Sequence, residues 1–129
     1  MLNRDDVELT RALERCEIPD AGFPHASHLR VAWVYLNEAP TVDQALVRMA
    51  ATLRRFAVSV GHTQKYSDQV TAFWMYQMAA VRAVMPGAAV DDVLRAYPRL
   101  LDKDLIASAP RAADSSSDPS DRPVSRGTA

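Results

Sequence analysis

The stretch TVDQALVRMAATLRRFAVSVG, Thr41–Gly61, decides the fold class. Within it Val42, Leu46, Met49, Leu53, Phe56 and Val60 follow one another in steps of four and three, the spacing that lays one apolar seam along an α-helix. Thr41 and Gln44 read as the two partners of a capping box at the start. Gly61 supplies the stop. A helix with such a seam needs other helices to bury it.

The flanking sequence provides them. On the C-terminal side, Ser67 or Tyr66 opens a helix reaching to about Met85. Thr71, Trp74, Met78, Val81 and Met85 repeat the four-three rhythm, and Pro86-Gly87 ends it. A short further helix covers Asp91 to Ala96, and Leu100, Leu101, Leu105 and Ile106 make a last apolar contact. On the N-terminal side, Pro24 suits the first turn of a helix running to about Asn37. Its run Leu29–Leu36 is apolar on nearly every side except at Arg30, the pattern of a central, buried helix. Asn3 caps a first helix from about Arg4 to Arg15, with Val7, Thr10 and Leu13 facing inward. Pro19 and Gly22 make the loop that follows. There is no strand signal and no internal repeat. The expectation is an all-α fold: a compact up-down bundle of four main helices plus a short fifth over residues 1–106. Residues 107–129, rich in Ser, Asp, Pro and Ala, carry too few apolar groups to offset the entropy of ordering and are expected to form a disordered tail.

Composition narrows the function classes. At 48% hydrophobic and 24% charged the chain has a globular balance. A net charge of −1 with no basic run argues against nucleic acid and against an anionic membrane surface as partners. No apolar stretch has the length of a membrane span, and the Met1–Asp6 start is too polar for a signal peptide. The lone Cys16 cannot form an internal disulfide and fits a reducing compartment. These features lead to a cytoplasmic protein whose partner is a small-molecule substrate, with a homodimer compatible.

Short connections favour antiparallel neighbours, so the second and fourth helices should start at the same end. The C-terminus of the first helix is expected there as well. That end then gathers His25, His28 and His62 with Glu14, Glu17, Tyr66, Ser67 and Asp68, beside two helix N-termini that favour an anionic ligand. His25 and His28, three residues apart, lie about 60° apart around their helix on the side of Leu29, Ala32 and Leu36. Two inward imidazoles can supply two nitrogen ligands to one metal, and Glu14 or Asp68 could complete a two-His-one-carboxylate set. The plainer alternative is a pair of hydrogen-bonded core histidines. His62, in a Gly-His-Thr loop, reads as solvated. Trp33, Phe73, Trp74, Met75 and Met78 read as core, with Trp33, Phe73 and Trp74 also able to wall a pocket. Arg30, on an otherwise apolar helix, requires a carboxylate partner such as Asp68, a substrate acid group or a route to solvent. No glycine-rich phosphate loop, Gly-x-Ser-x-Gly elbow or Cys-x-x-Cys is present.

The run Leu13-Glu14-Arg15-Cys16-Glu17-Ile18-Pro19, then Phe23-Pro24-His25-Ala26-Ser27-His28-Leu29-Arg30-Val31-Ala32-Trp33, resembles a family of small, mostly uncharacterised bacterial helical proteins. Their pattern has a Glu, a Cys and a Leu-Pro before an aromatic-x-His-x-x-His-Leu-Arg-x-Ala segment, and later Tyr-His-Glu-Thr. Here the later stretch is Tyr66-Ser67-Asp68-Gln69, so one imidazole is absent and one carboxylate is a methylene shorter. Tyr97–Lys103 looks like the family's end, and the resemblance covers about residues 10–106. It implies a site with Glu14, His25 and His28 as metal ligands or acid/base groups. His25, His28, Asp68 and Tyr66 would then be the catalytic set, and Arg30, Trp33, Phe73 and Trp74 would contact substrate. The resulting expectation is a small bacterial enzyme, plausibly tailoring secondary metabolites, with one divalent ion (Fe, Mn or Zn) or metal-free acid/base chemistry on a small acidic or polar substrate. A non-catalytic module binding a small molecule or a protein is the alternative.

Overall fold

The computed structural model describes residues 2–19 and 23–108. Its main helices are α1 (Arg4–Glu14), α2 (His25–Glu38), α3 (Val42–Ser59) and α4 (Asp68–Val84), followed by the shorter α5 (Val90–Ala96) and α6 (Leu105–Ser108). Among the described residues there is no strand. The all-α bundle of four main helices and a short fifth is as expected.

The helix starts have identifiable causes. The Asn3 side chain accepts the Asp5 N–H at 2.7 Å, the Thr41 hydroxyl accepts that of Gln44 at 3.1 Å, and the Ser67 hydroxyl accepts that of Val70 at 3.2 Å. Ser67, and not Tyr66, is therefore the cap of α4. Pro24 stands one residue ahead of α2 instead of inside it.

The ends of α1 and α3 share a device. Glu17 N–H reaches Ala12 O at 3.0 Å, and His62 N–H reaches Ala57 O at 2.8 Å, each across a left-handed residue. That residue is Gly61 in one case and Cys16, at φ 57°, in the other. The loop after α3 thus holds His62 by its backbone.

Helix α2 occupies the centre. Val31, Ala32, Trp33, Val34, Tyr35 and Leu36 are all buried, because α1, α3 and α4 each pack on it. Ring and side-chain contacts give the directions. Arg48 of α3 pairs with Glu38 while Phe56 packs near the start of α2 on Phe23, so α2 and α3 are antiparallel. His25 stacks against Trp74 at 4.4 Å and Arg82 donates to Asn37 at 3.0 Å, so α4 runs parallel to α2. Their N-termini share one end, as expected.

Helix α1 departs from the expectation. Asp6 pairs with Arg30, while further along Glu14 accepts from Tyr35 and Arg11 pairs with Glu38. The start of α1 thus meets Arg30, while both contacts of its later half fall on the last turn and a half of α2. The C-terminal turn of α1 therefore lies beside the far half of α2, away from its start.

The C-terminal part closes on the same core. Val90 and Val93 of α5 are buried, and the Trp33 indole donates to Ala88 O at 3.0 Å. Leu100 is buried on a 3-10 turn, Pro98–Leu101, and Leu105 packs against the core. Helix α6 carries order to residue 108, two residues past the expected domain limit; the remainder of the expected tail, from 109, lies outside the described residues.

Candidate functional site

A cavity of about 450 Å³ opens between the first halves of α2 and α4 and the last half of α3, within the roughly 300–1,000 Å³ of small-molecule pockets. Its inner wall is apolar and well buried: Met49, Leu53, Phe56, Trp74 and Met75. All of them except Met75 belong to the four-three seams of α3 and α4. The polar lining comes from His25, His28, His62, Lys65, Tyr66, Ser67, Thr71 and Lys103. Among the described lining residues there is no carboxylate. All three histidines of the chain and both of its lysines are there.

The two helix-2 imidazoles are held alike. His25 Nε2 is 2.9 Å from Leu100 O, and His28 Nδ1 is 3.3 Å from Pro24 O. A carbonyl oxygen only accepts, so each of these nitrogens carries the proton and donates. In the neutral ring this leaves Nδ1 of His25 and Nε2 of His28 as acceptors. Burial pushes the His28 pKa down to about 4, and the neighbouring His25 adds to this against the Pro24 bond. His28 is therefore uncharged at neutral pH. It also packs on Phe23 with ring centroids 4.2 Å apart.

Tyr66 lines the cavity, with its hydroxyl donating to Asp68 at 2.7 Å. Burial raises the Tyr66 pKa and the Asp68 carboxylate adds to this. Asp68 does not line the cavity. It is exposed and pairs with Arg54 at 2.7 Å, which, with the Tyr66 bond, lowers its pKa.

The remaining sequence candidates sit elsewhere. Glu14 does not join the histidines; it lies in a network along the far half of α2. The Tyr35 hydroxyl donates to Glu14 at 2.6 Å and meets the Thr52 hydroxyl at 2.7 Å. Arg11 binds both Glu14 and Glu38, and Arg48 binds Glu38 while lying over the Tyr35 ring at 4.6 Å. Partial burial pushes the Glu14 carboxyl up, but the Tyr35 hydroxyl and the Arg11 and Arg48 charges prevail and hold it below its ordinary value. The same carboxylate and burial push Tyr35 up to about 12.

Arg30 is paired with Asp6 at 2.9 Å and with Asp91, and not with Asp68. Trp33 is core, and Phe73 packs edge-on against Trp74 behind the cavity wall. Glu17 pairs with Arg15 in solvent. The expected ligand set Glu14, His25 and His28 is thus not assembled. Among the described residues no group of three or more His, Cys, Asp and Glu is placed to hold a metal ion.

Lys65 and Lys103 escaped the reading of the sequence. Their signal is compositional: every other basic residue outside the histidines is arginine. That rarity acquires meaning only once the fold brings both to one opening. No family model, no curated protein and no solved structure matches the chain.

Proposed function

We propose that the chain binds a small, largely apolar molecule in the cavity at the shared end of α2 and α4. The observation that carries this is the buried apolar wall beside two imidazoles, each anchored through one nitrogen and each with an acceptor nitrogen left over.

A second reading, proton transfer on the bound molecule, rests on the same acceptor nitrogens. His28 is neutral at pH 7 and takes a proton only from an acidic donor, while His25 stands beside it on the next turn. A divalent metal at these two rings would have to draw its other ligands from the bound molecule or water, since Glu14 is engaged elsewhere. The resemblance to small bacterial helical proteins and the Ala- and Arg-rich composition support a bacterial source, and a tailoring role in secondary metabolism belongs to this second reading. The lone cysteine supports a cytoplasmic setting, and no helix among the described residues is long and apolar enough to cross a membrane.

A thermal-shift screen of small aromatic and aliphatic molecules tests the binding reading. Stabilising compounds should lose their effect in Val70→Trp, which places an indole at the half-exposed rim, and keep it in Tyr35→Phe. Compounds that stabilise Val70→Trp as well as the wild type would refute the site. If a hit is also turned over, His28→Phe should abolish turnover and leave binding measurable.

A further inference from the structure

The cavity has a direction. Its inner residues, Met49 and Met75, are almost completely buried, whereas Lys65 and Lys103 stand exposed at the rim. The two lysines come from separate segments. Lys65 ends the 3-10 turn Thr63–Lys65 ahead of α4, and Lys103 lies in the turn ahead of α6. They are the chain's only lysines. Among the described residues neither makes an ion pair, while Arg4, Arg11, Arg15, Arg30, Arg48, Arg54 and Arg95 all do. Among the described lining residues there is no acid. Asp102 and Asp104 flank Lys103 but are not among the described lining residues, so the charged groups presented to the cavity itself are the two ammonium groups, which a neutral molecule would leave unused.

We infer that the ligand is an amphipathic anion, an aryl or alkyl carboxylate, whose head group meets Lys65 and Lys103 at the rim while its apolar body lies against Met49, Leu53, Phe56 and Trp74. The inference rests on the binding reading above and adds the charge and the orientation. The reverse orientation fails on solvation. The inner wall of Met49, Leu53, Phe56 and Met75 is apolar and buried, and a carboxylate carried there would lose its water without a counter-charge. At the rim the lysines keep their own hydration and supply point charges without a fixed geometry. The N-termini of α2 and α4 open at the same end and add positive partial charge.

The test uses the full chain and two isosteric probes, 4-phenylbutyrate and 4-phenylbutanamide, titrated by calorimetry at pH 7 and low salt. Two rim charges should favour the acid by about tenfold, and raising the salt should erode the preference. Lys65→Met with Lys103→Met should abolish the preference and leave the amide affinity unchanged. Val70→Trp should weaken both probes together. Equal binding of acid and amide to the wild type would overturn the anion inference and leave the cavity reading intact. A preference that survives the double lysine substitution would overturn it too. Binding of either probe unaltered in Val70→Trp would overturn the cavity reading itself.

Discussion

Two groups of polar side chains flank the central helix, and they differ in whether their partners come from the chain. Along the far half of α2, Arg11, Glu14, Tyr35, Glu38, Arg48 and Thr52 bond one another, cation against carboxylate and hydroxyl against both. At the near end, His25 and His28 each use one nitrogen on a backbone carbonyl, and Lys65 and Lys103 line an apolar space to which no described acid contributes, although Asp102 and Asp104 flank Lys103 in the chain. A saturated network has little left to give a ligand; its value is in holding α1, α2 and α3 together. An unsaturated group beside a cavity contributes little to holding the fold and is free to recognise something else. Acidic side chains are what separate the two: the network has Glu14 and Glu38, and the described cavity lining has none.

Acid separates the two regions most strongly. The His28 pKa is depressed from 6.5 to about 4 in the folded chain, so the unfolded chain binds the extra proton first. Stability is full above pH 6.5 and falls as pH drops towards 4, by about 3 kcal/mol. The network behaves otherwise. Glu14 is held below its ordinary value of 4.5, so its contribution is present above that pH and is lost only as pH falls further, through the folded pKa. Urea midpoints measured from pH 7 to 3 should therefore decline in two stages. In His28→Phe the upper stage should vanish and the lower remain; a single decline below pH 4.5 in the wild type would contradict the burial of that ring.

Next in size is Tyr35→Phe. Removing the hydroxyl strips one donor from a partly buried carboxylate and should cost about 2 kcal/mol in denaturant unfolding. Ligand binding should be unchanged, because Tyr35 does not line the cavity. Loss of binding in this variant would join the two regions that are separated here.

At pH 7, His28→Phe should move stability by less than about 1 kcal/mol. It loses one long bond to Pro24 and places an apolar ring beside Phe23. Any turnover supported by the cavity should nonetheless disappear. Smallest of all is Asp68→Asn. Its carboxylate is exposed, paired with Arg54, and outside the lining, so the melting temperature and probe affinity should both match the wild type. A clear loss of affinity would return Asp68 to the site.

The helices were legible because their signals are local. The seam Met49–Leu53–Phe56, the cap at Thr41 and the left-handed Gly61 each follow from a few neighbouring residues. So did the common end of α2 and α4, which needs only the alternation of α2, α3 and α4, and with it the grouping of His25, His28, Tyr66 and Trp74. The position of Glu14 was not legible. It depends on where the whole of α1 docks along α2, which is set by distant pairs such as Asp6 with Arg30 and Glu14 with Tyr35 and not by neighbouring residues. Arg30 misled for a similar reason, since its partners Asp6 and Asp91 come from opposite ends of the chain. Lys65 and Lys103 have no periodicity to reveal them, and only the folded chain puts them on one rim.

The central claim is that the histidine–lysine cavity recognises a ligand and the Glu14–Tyr35 network does not. Mapping backbone amide and indole shifts by nuclear magnetic resonance during a 4-phenylbutyrate titration tests it directly. Saturable shifts at Phe56, Ala57, Thr71 and the Trp74 indole, with Glu14, Tyr35, Glu38 and Arg48 unmoved, are the predicted result. Shifts centred on the network, or a titration that leaves the cavity wall unperturbed, would contradict it.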